Sequence, residues 1–205
     1  MRIRLNGSRN LSGFWTSKEG SLCWRLTSVI RDEEDARLPG LARQVLQVLA
    51  IQIEQIDAAV VALEKQLMAW HKTNPVSQRL ATIPGIGPII ATAIAAMVAT
   101  PSGFRSGREF AAWLGLVPRQ NSTGGKNRLG GISKRGNQYL RRLLINGASA
   151  NLLRSKATNA DPWVIGLRRR RPSLVVAVAL ANKTARIAWA VMHRQENYQR
   201  MATAA

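Results

Sequence analysis

The residues with the clearest chemical potential lie in residues 118–136, a stretch without hydrophobic periodicity that contains five glycines and five basic residues. Ser122 stands there, and a serine hydroxyl becomes a useful nucleophile only when a base, a lowered pKa or an electropositive site activates it. Cations around a phosphodiester would stabilise the charge that builds up in its transition state. Four such cations are Lys126, Arg128, Lys134 and Arg135. The stretch therefore predicts either a serine that attacks a phosphodiester or a flexible basic loop that only contacts phosphates.

Other arrangements for phosphate chemistry find little support in the sequence. A P-loop ending in Gly125-Lys126 would need a glycine at position 120 and a serine or threonine at position 127, where Gln120 and Asn127 stand. A two-metal nuclease needs several converging carboxylates. Residues 65–205 contain only three acids, far apart in sequence: Glu109, Asp161 and Glu196. With one cysteine and two histidines, neither of them near Ser122, a Cys/His zinc site is excluded and a Ser-His-Asp triad is unsupported.

The charge of the chain indicates a polyanionic partner. The 205 residues include 30 Lys and Arg against 11 Asp and Glu, which gives a formal net charge of +19. Residues 1–64 hold eight basic and eight acidic groups, so the whole excess lies in residues 65–205. Such a surface most often binds nucleic acid and less often an anionic membrane, and it argues against a cationic substrate. We therefore expect DNA or RNA to bind the C-terminal two-thirds.

A long helix with a seven-residue apolar repeat is expected between Ala42 and Trp70. Its two interleaved series are Leu46, Ile53, Val60 and Leu67, and Ala42, Leu49, Ile56, Leu63 and Trp70. This pattern over four heptads predicts a coiled coil, through which the chain would form a homo-oligomer; a helix packed on its own domain is the alternative. Pro75 should end the helix, because proline disfavours helical geometry in the residue before it.

A glycine turn between two predicted helices gives a second site. The sequence from Ile83 to Pro88 matches the helix-hairpin-helix pattern, in which Gly85 and Gly87 let the backbone approach a phosphate. The second helix then turns its unpaired N–H groups toward that anion, and the contact ignores base identity. A turn that merely joins two packed helices is the alternative. On a later helix we expect Arg141 and Arg142 to lie partly outward and to contact DNA.

The remaining patterns predict an all-α protein with a long coiled-coil helix followed by a compact helical domain. We assign residues 1–36 to a poorly ordered tail, 37–74 to the coiled-coil helix and 75–200 to the helical domain. Arg168 to Arg171 are either a phosphate-contacting cluster or a solvated helix end. The N-terminus lacks a signal-peptide core, and no uninterrupted apolar stretch reaches the roughly 20 residues of a membrane span. We therefore expect a cytoplasmic location and no membrane partner.

The order of these motifs resembles the C-terminal part of the IS-one-ten (DEDD) transposases of bacterial insertion sequences. The resemblance covers about residues 36–198, with motifs in matching order and spacing. They include Leu80-Ala-Thr-Ile-Pro-Gly-Ile-Gly-Pro88, Ser122-Thr-Gly-Gly-Lys126, Gly131-Ile-Ser-Lys-Arg-Gly136 and Ala177-Val-Ala-Leu-Ala-Asn-Lys183. It implies DNA strand cleavage and transfer in transposition, with a serine that attacks the DNA backbone. By motif that serine is Ser122, and Ser133 is the second choice.

The resemblance also implies features that this chain does not carry. In the family, an N-terminal RuvC-like domain supplies a DEDD carboxylate tetrad that binds Mg²⁺, and some members use a structured RNA from the element. The residues before 36 do not resemble that domain, so no tetrad and no metal site can be assigned. We therefore expect a truncated transposase that binds DNA. The alternatives are an inactive truncated transposase, a non-catalytic helix-hairpin-helix nucleic-acid-binding protein and an assembly protein acting through its coiled coil.

Overall fold

The computed structural model describes residue 30 and residues 39–121, 129–154 and 161–199, and this part of the chain is almost entirely α-helical. The prediction of an all-α fold is therefore confirmed. The helices are α1 (Gly40–Thr73), α2 (Pro75–Ala81), α3 (Pro88–Met97), α4 (Gly107–Trp113), α5 (Gln138–Arg154), α6 (Pro162–Arg168) and α7 (Ser173–Arg194). A short 3-10 turn covers Pro101–Gly103, and two short strands are β1 (Pro118–Gln120) and β2 (Leu129–Ile132).

Local capping signals set the starts of three helices. The Asn74 side chain accepts a hydrogen bond from the Ser77 backbone N–H at 2.9 Å, and Pro75 opens α2. The Ser106 side chain accepts the Glu109 N–H at the start of α4. The Asp161 side chain accepts the Trp163 N–H at the start of α6. Each cap satisfies a donor that the helix itself leaves unpaired.

Helix α7 forms the centre of the C-terminal part and packs against α2, α4, α5 and α6. Its buried side chains are mostly small, and this lets neighbouring helices approach closely. They are Val176, Ala177, Leu180, Ala181, Thr184, Ala185, Ala188, Val191 and Met192. The core also includes Phe110 of α4 and Leu140 and Leu144 of α5, all of which are buried. Four helices therefore pack on the central α7, whereas α3 packs on α2 and α5.

Helix α1 shows the opposite behaviour. All 34 of its residues belong to the described part of the chain, and none of them is buried. The heptad residues Leu49, Ile56 and Leu63 are exposed, and so are Val45 and Ile51 outside the repeat. The chain divides into two compact units between Leu67 and Met68, whereas the sequence placed a boundary after residue 74. The predicted helix is present, and the coiled coil stays a prediction.

Two of the described helices, α1 and α7, are long and apolar enough by length and composition to cross a membrane. Helix α7 meets this criterion as a core helix, since nearly half of its most apolar segment is buried. Polar residues interrupt the apolar sequence of both helices, so neither contains the uninterrupted stretch of about 20 residues that a membrane span was expected to need. A core helix of a water-soluble domain satisfies the same criterion, so the finding is weak evidence for a membrane partner.

A small β-hairpin is the element that the sequence analysis missed. Strands β1 and β2 pair antiparallel, with Pro118 opposite Ile132 and Gln120 opposite Leu129. The register is irregular between these two pairs. The strands are only three and four residues long, too short to show a period-two pattern. The stretch predicted as a structureless loop therefore has a paired base.

Candidate nucleic-acid interface

At the base of the β-hairpin, the backbones at Gly115 and Gly136 pack closely against the opposite chain segment. Gly115 has φ +72° and Gly136 has φ +95°, a region that residues with a Cβ rarely adopt. A Cβ on Gly136 would lie 1.8 Å from the Trp113 carbonyl oxygen, and one on Gly115 would lie 2.0 Å from the Arg135 carbonyl oxygen. Only glycine fits at these two positions. The chain entering the hairpin is thereby fixed against the chain leaving it.

Arg141 supports this packing from within the core. Its side chain is only 8% exposed, and its guanidinium donates a hydrogen bond to the Leu114 carbonyl oxygen at 3.0 Å. The prediction that Arg141 lies partly outward as a DNA contact is therefore wrong in orientation. A buried cation needs a polar partner, and the free carbonyl at the end of α4 provides one. Arg141 thus positions the hairpin base, whereas Arg142 on the same helix is exposed.

The other predicted site residues of the basic stretch fall into two groups. Lys134 and Arg135 are exposed at the hairpin base, where the Lys134 N–H donates to the Gly115 carbonyl oxygen at 3.1 Å. Ser133 is half-buried, and its N–H donates to the Val117 carbonyl oxygen at 2.8 Å. The remaining predicted residues, Ser122, Lys126 and Arg128, lie outside the described residues. The structure therefore brings two of the predicted cations to the hairpin.

The two glycines of the helix–turn–helix segment differ in their surroundings. Gly85 has φ +89° and packs against α5, where a Cβ on Gly147 would lie 2.1 Å from the Gly85 carbonyl oxygen. Gly87 is exposed at the start of α3, and among the described residues no atom lies within 4 Å of the position of its missing Cβ. Gly147 is therefore required for this close packing, and the positive φ of Gly85 favours glycine there, as in the alternative interpretation of this turn. Gly87 is the glycine whose backbone an anion can approach.

A groove that the sequence analysis missed lies between α4 and α7. It is lined by Arg108, Glu109, Ala111, Ala112, Val117, Pro118, Asn182 and Arg186. Its volume is about 460 Å³, and it reaches the first residue of β1. Arg108 and Arg186 are both exposed. No sequence signal joins them, because the helix crossing that brings them together links segments far apart in the chain.

The chain is similar in sequence to known transposases. Residues 77–163 match the Transposase IS116/IS110/IS902 family. A probable family 20 transposase of Pseudomonas aeruginosa is 48% identical over 177 residues, which are 85% of this chain and 52% of that protein. The transposase for insertion sequence element IS1328 of Yersinia enterocolitica is 46% identical over 140 residues, 67% of this chain and 41% of that protein. The chain belongs to the IS116/IS110/IS902 transposase family.

The family match covers several elements of the fold. The matched residues run from α2 to the start of α6 and include the glycine turn, the β-hairpin and the Gly85–Gly147 packing contact. The transposase for insertion sequence element IS1111A of Coxiella burnetii is 42% identical over 159 residues, 77% of this chain and 44% of that protein. The chain spans about half the length of the curated relatives it matches.

The four arginines from Arg168 to Arg171, at the end of α6, differ in their contacts. Arg168 donates a hydrogen bond to the Leu152 carbonyl oxygen at 2.5 Å, so it joins α6 to α5. Arg170, two residues beyond the end of α6, donates back to the Gly166 carbonyl oxygen of that helix. Arg169 and Arg171 are exposed. The solvated helix end thus accounts for part of the cluster, and two of its cations face solvent.

The residues described here do not fit the Mg²⁺ ion that the family resemblance implies. In residues 30, 39–121, 129–154 and 161–199 there is no group of three or more His, Cys, Asp or Glu side chains that could hold a metal ion. Asp161 pairs with Lys183, and the Glu109 carboxylate accepts the Arg105 N–H at 2.7 Å. Mg²⁺ prefers several oxygen ligands in octahedral geometry, which isolated carboxylates cannot supply. No step of the chemistry is therefore assigned to a metal on these residues.

Proposed function

We propose that this chain provides the DNA-binding and strand-transfer part of an insertion-sequence transposase, with Ser122 as the nucleophile. The single observation that carries this proposal is the β-hairpin, whose base is fixed by Gly115, Gly136 and Arg141. Ser122 follows Gln120, the last residue of β1, by two positions in the chain. A reacting group needs such a fixed support, because small displacements of a nucleophile lower its rate strongly.

The proposed reaction is an exchange of phosphate ester bonds. The Ser122 hydroxyl oxygen forms a bond to the phosphorus of a DNA phosphodiester, and the bond from that phosphorus to one deoxyribose oxygen breaks. The serine hydroxyl loses a proton and the departing deoxyribose oxygen gains one, so charge and atoms balance. Attack by a second deoxyribose hydroxyl then reverses these steps and joins a new strand. Lys126, Arg128, Lys134 and Arg135 would stabilise the charge on the phosphoryl oxygens.

The glycine turn supports the proposal by offering a contact to the DNA backbone. Gly87 is exposed and precedes α3, whose first N–H groups have no partner within a helix. The positive end of the helix dipole favours a phosphate there, without regard to sequence. Gly85 would act indirectly, through its packing on α5. Arg142, exposed on α5, is a further proposed phosphate contact.

The other partners also belong to this proposal. DNA is the substrate, the apolar heptads of α1 would join copies of the chain, and a structured RNA from the element is a possible third component. Mg²⁺ would be needed only by a RuvC-like domain, whose carboxylates these residues do not provide. The location that suits this function is the cytoplasm. The names of the relatives as transposases support the assignment.

A covalent adduct is the decisive test. The full chain, alone and together with a RuvC-like domain, is incubated with labelled DNA that carries the element's ends, and adducts are separated under denaturing conditions. We expect an adduct that is lost in Ser122→Ala and retained in Ser133→Ala, the matched control. Loss in Ser133→Ala alone would move the nucleophile to Ser133. An adduct that persists in both variants would contradict the assignment. DNA binding without any adduct would indicate the second candidate, a non-catalytic nucleic-acid-binding protein.

A further inference from the structure

We propose that the groove between α4 and α7 binds a phosphate of the DNA strand, through the guanidinium groups of Arg108 and Arg186. This inference rests on the proposed function, because it assumes that DNA is the substrate. It assigns a binding site to two residues that neither the basic stretch nor the glycine turn includes. The site belongs to the same face as Pro118, where the chain enters the β-hairpin.

The crossing of α4 and α7 brings the two arginines together. A Cβ on Gly107 would lie 3.0 Å from the Arg186 carbonyl oxygen and 3.1 Å from the Arg186 Cα. The helices therefore touch at backbone distance at Gly107, the residue directly before Arg108. Both side chains line the same groove and are exposed. Two cations on neighbouring helices repel one another unless an anion lies between them.

The polar groups around the two arginines are already occupied by other partners. In the described ranges neither the Arg108 nor the Arg186 side chain has a hydrogen bond or an ion pair. The Glu109 carboxylate, which also lines the groove, accepts the Arg105 backbone N–H at 2.7 Å, across the start of α4. The Asn182 side-chain amide donates to the Leu116 carbonyl oxygen at 3.0 Å. The guanidinium groups are therefore the donors that remain available in the groove.

The residues that line the groove suit a phosphate better than a larger planar ligand. Its apolar wall is formed by Ala111, Ala112 and Val117, so no aromatic side chain is available to stack on a base. Arginine presents a planar set of N–H donors that matches two phosphate oxygens at once. A carboxylate on a protein partner is the competing anion. The uncompensated charge of residues 65–205 favours DNA over an isolated carboxylate.

The position of the groove relates it to the proposed reaction. The bond between Asn182 and Leu116 fixes α7 to the chain just before β1. Ser122 lies four positions after Pro118 in the chain, so the two Cα atoms are at most about 14 Å apart. A DNA strand advances about 3.4 Å along the helix axis per nucleotide. A phosphate in the groove can therefore belong to the strand that reacts, a few nucleotides from the attacked bond.

The experiment measures the affinity of the full chain for a labelled duplex of arbitrary sequence, by fluorescence anisotropy, over a range of about 50 to 200 mM salt. The variants are Arg108→Ala, Arg186→Ala and the double variant. Arg194→Ala is the matched control, because Arg194 is exposed on α7 but does not line the groove. We expect each groove variant to lower the affinity about tenfold and to reduce the slope of log K against log salt by about one.

The double variant distinguishes one shared phosphate from two. If both arginines hold the same phosphate, the double variant loses about one unit of salt slope rather than two. The groove proposal would be overturned if the unmodified chain binds DNA tightly and the affinities of Arg108→Ala, Arg186→Ala and Arg194→Ala are equal. The proposed function would then still stand. Failure of the unmodified chain to bind DNA would overturn both. Arg108→Gln and Arg186→Gln repeat the measurement should an alanine variant unfold, and thermal unfolding checks each protein.

Discussion

Helices α1 and α7 carry equally apolar segments, and the molecule buries them differently. The most apolar segments of the two helices have the same mean hydropathy. None of the α1 segment is buried, whereas nearly half of the α7 segment is. The buried positions of α7 include Ala177, Ala181, Ala185 and Ala188, so other helices can approach its backbone. The heptads of α1 instead carry Leu, Ile and Val. Hydropathy indicates that a helix has an apolar face to bury, and the size of the side chains on that face determines how closely another helix can pack on it.

The largest effect should come from charging the heptad seam of α1. We expect Leu49→Asp with Ile56→Asp to shift the chain toward monomer and to raise the dissociation constant at least a hundredfold. Burying each leucine or isoleucine contributes about 1.5–3 kcal/mol, and both side chains are exposed within one copy. Light scattering and analytical ultracentrifugation measure the mass, and circular dichroism checks that the helices remain.

The matched control places the same charges off the seam. Ile51 and Val61 are also exposed on α1, and neither belongs to the two heptad series. Ile51→Asp with Val61→Asp should leave the mass unchanged. An unchanged mass in the Leu49 and Ile56 variant would mean that the seam packs within its own chain. Equal dissociation by both double variants would show that association does not follow the heptads.

The second prediction tests whether α5 packs against the backbone of the glycine turn at Gly85. A Cβ on Gly147 would lie 2.1 Å from the Gly85 carbonyl oxygen and 2.7 Å from the Ile90 Cδ1. We expect Gly147→Ala to lower the free energy of unfolding by about 3 kcal/mol in urea titrations, because α5 must move away from the glycine turn. The cost should be absent wherever a helical glycine faces open space.

Gly166 in α6 provides that control. In the part of the chain that the structure describes, no atom lies within 4 Å of the position of its missing Cβ. Gly166→Ala should therefore raise the free energy of unfolding by about 0.5–1 kcal/mol, since alanine restricts the unfolded chain and favours helix. A loss in both variants, or in neither, would contradict the packing of Gly85 on Gly147.

The third prediction compares the two helices directly at matched alanines. Ala185 of α7 is fully buried and Ala59 of α1 is exposed. We expect Ala185→Leu to lower the free energy of unfolding by about 2 kcal/mol through overpacking, and Ala59→Leu to change it by less than about 0.5 kcal/mol. Alanine and leucine have similar helix propensities, so the difference reports packing alone. A comparable loss at Ala59 would show that α1 is as closely packed as α7.

The sequence predicted what is decided locally and missed what is decided by distant contacts. The end of α1 before Pro75 and the turn at Gly85 follow from residues that lie within a few positions of one another. The inward direction of Arg141 could not be predicted, because its partner is a carbonyl at the end of another helix. Helical spacing predicted an inward face of leucines on α5 and left both Arg141 and Arg142 partly outward.

The candidate site shows the same division. The basic stretch and the glycine turn were visible as composition and spacing, and the structure adds that Gly115 and Gly136 fix the hairpin base. Arg108 and Arg186 could not be joined from the sequence, because the crossing at Gly107 depends on how α4 packs on α7. The role of Ser122 stays a prediction, since that residue lies outside the described ranges.

The smallest effect should come from the polar side of α7. Lys183 pairs with Asp161 at 2.5 Å and lies 4.9 Å from the centre of the Trp163 ring, but both charged side chains are about 40% exposed. Solvent screens such pairs, so we expect Lys183→Met to lower the free energy of unfolding by less than about 1 kcal/mol, and by still less at high salt. Methionine keeps the apolar part of the lysine contact, so the measurement isolates the charge. A loss as large as that of Ala185→Leu would mean that α7 is stabilised by its polar contacts as much as by its buried alanines, and the contrast with α1 would then not rest on packing.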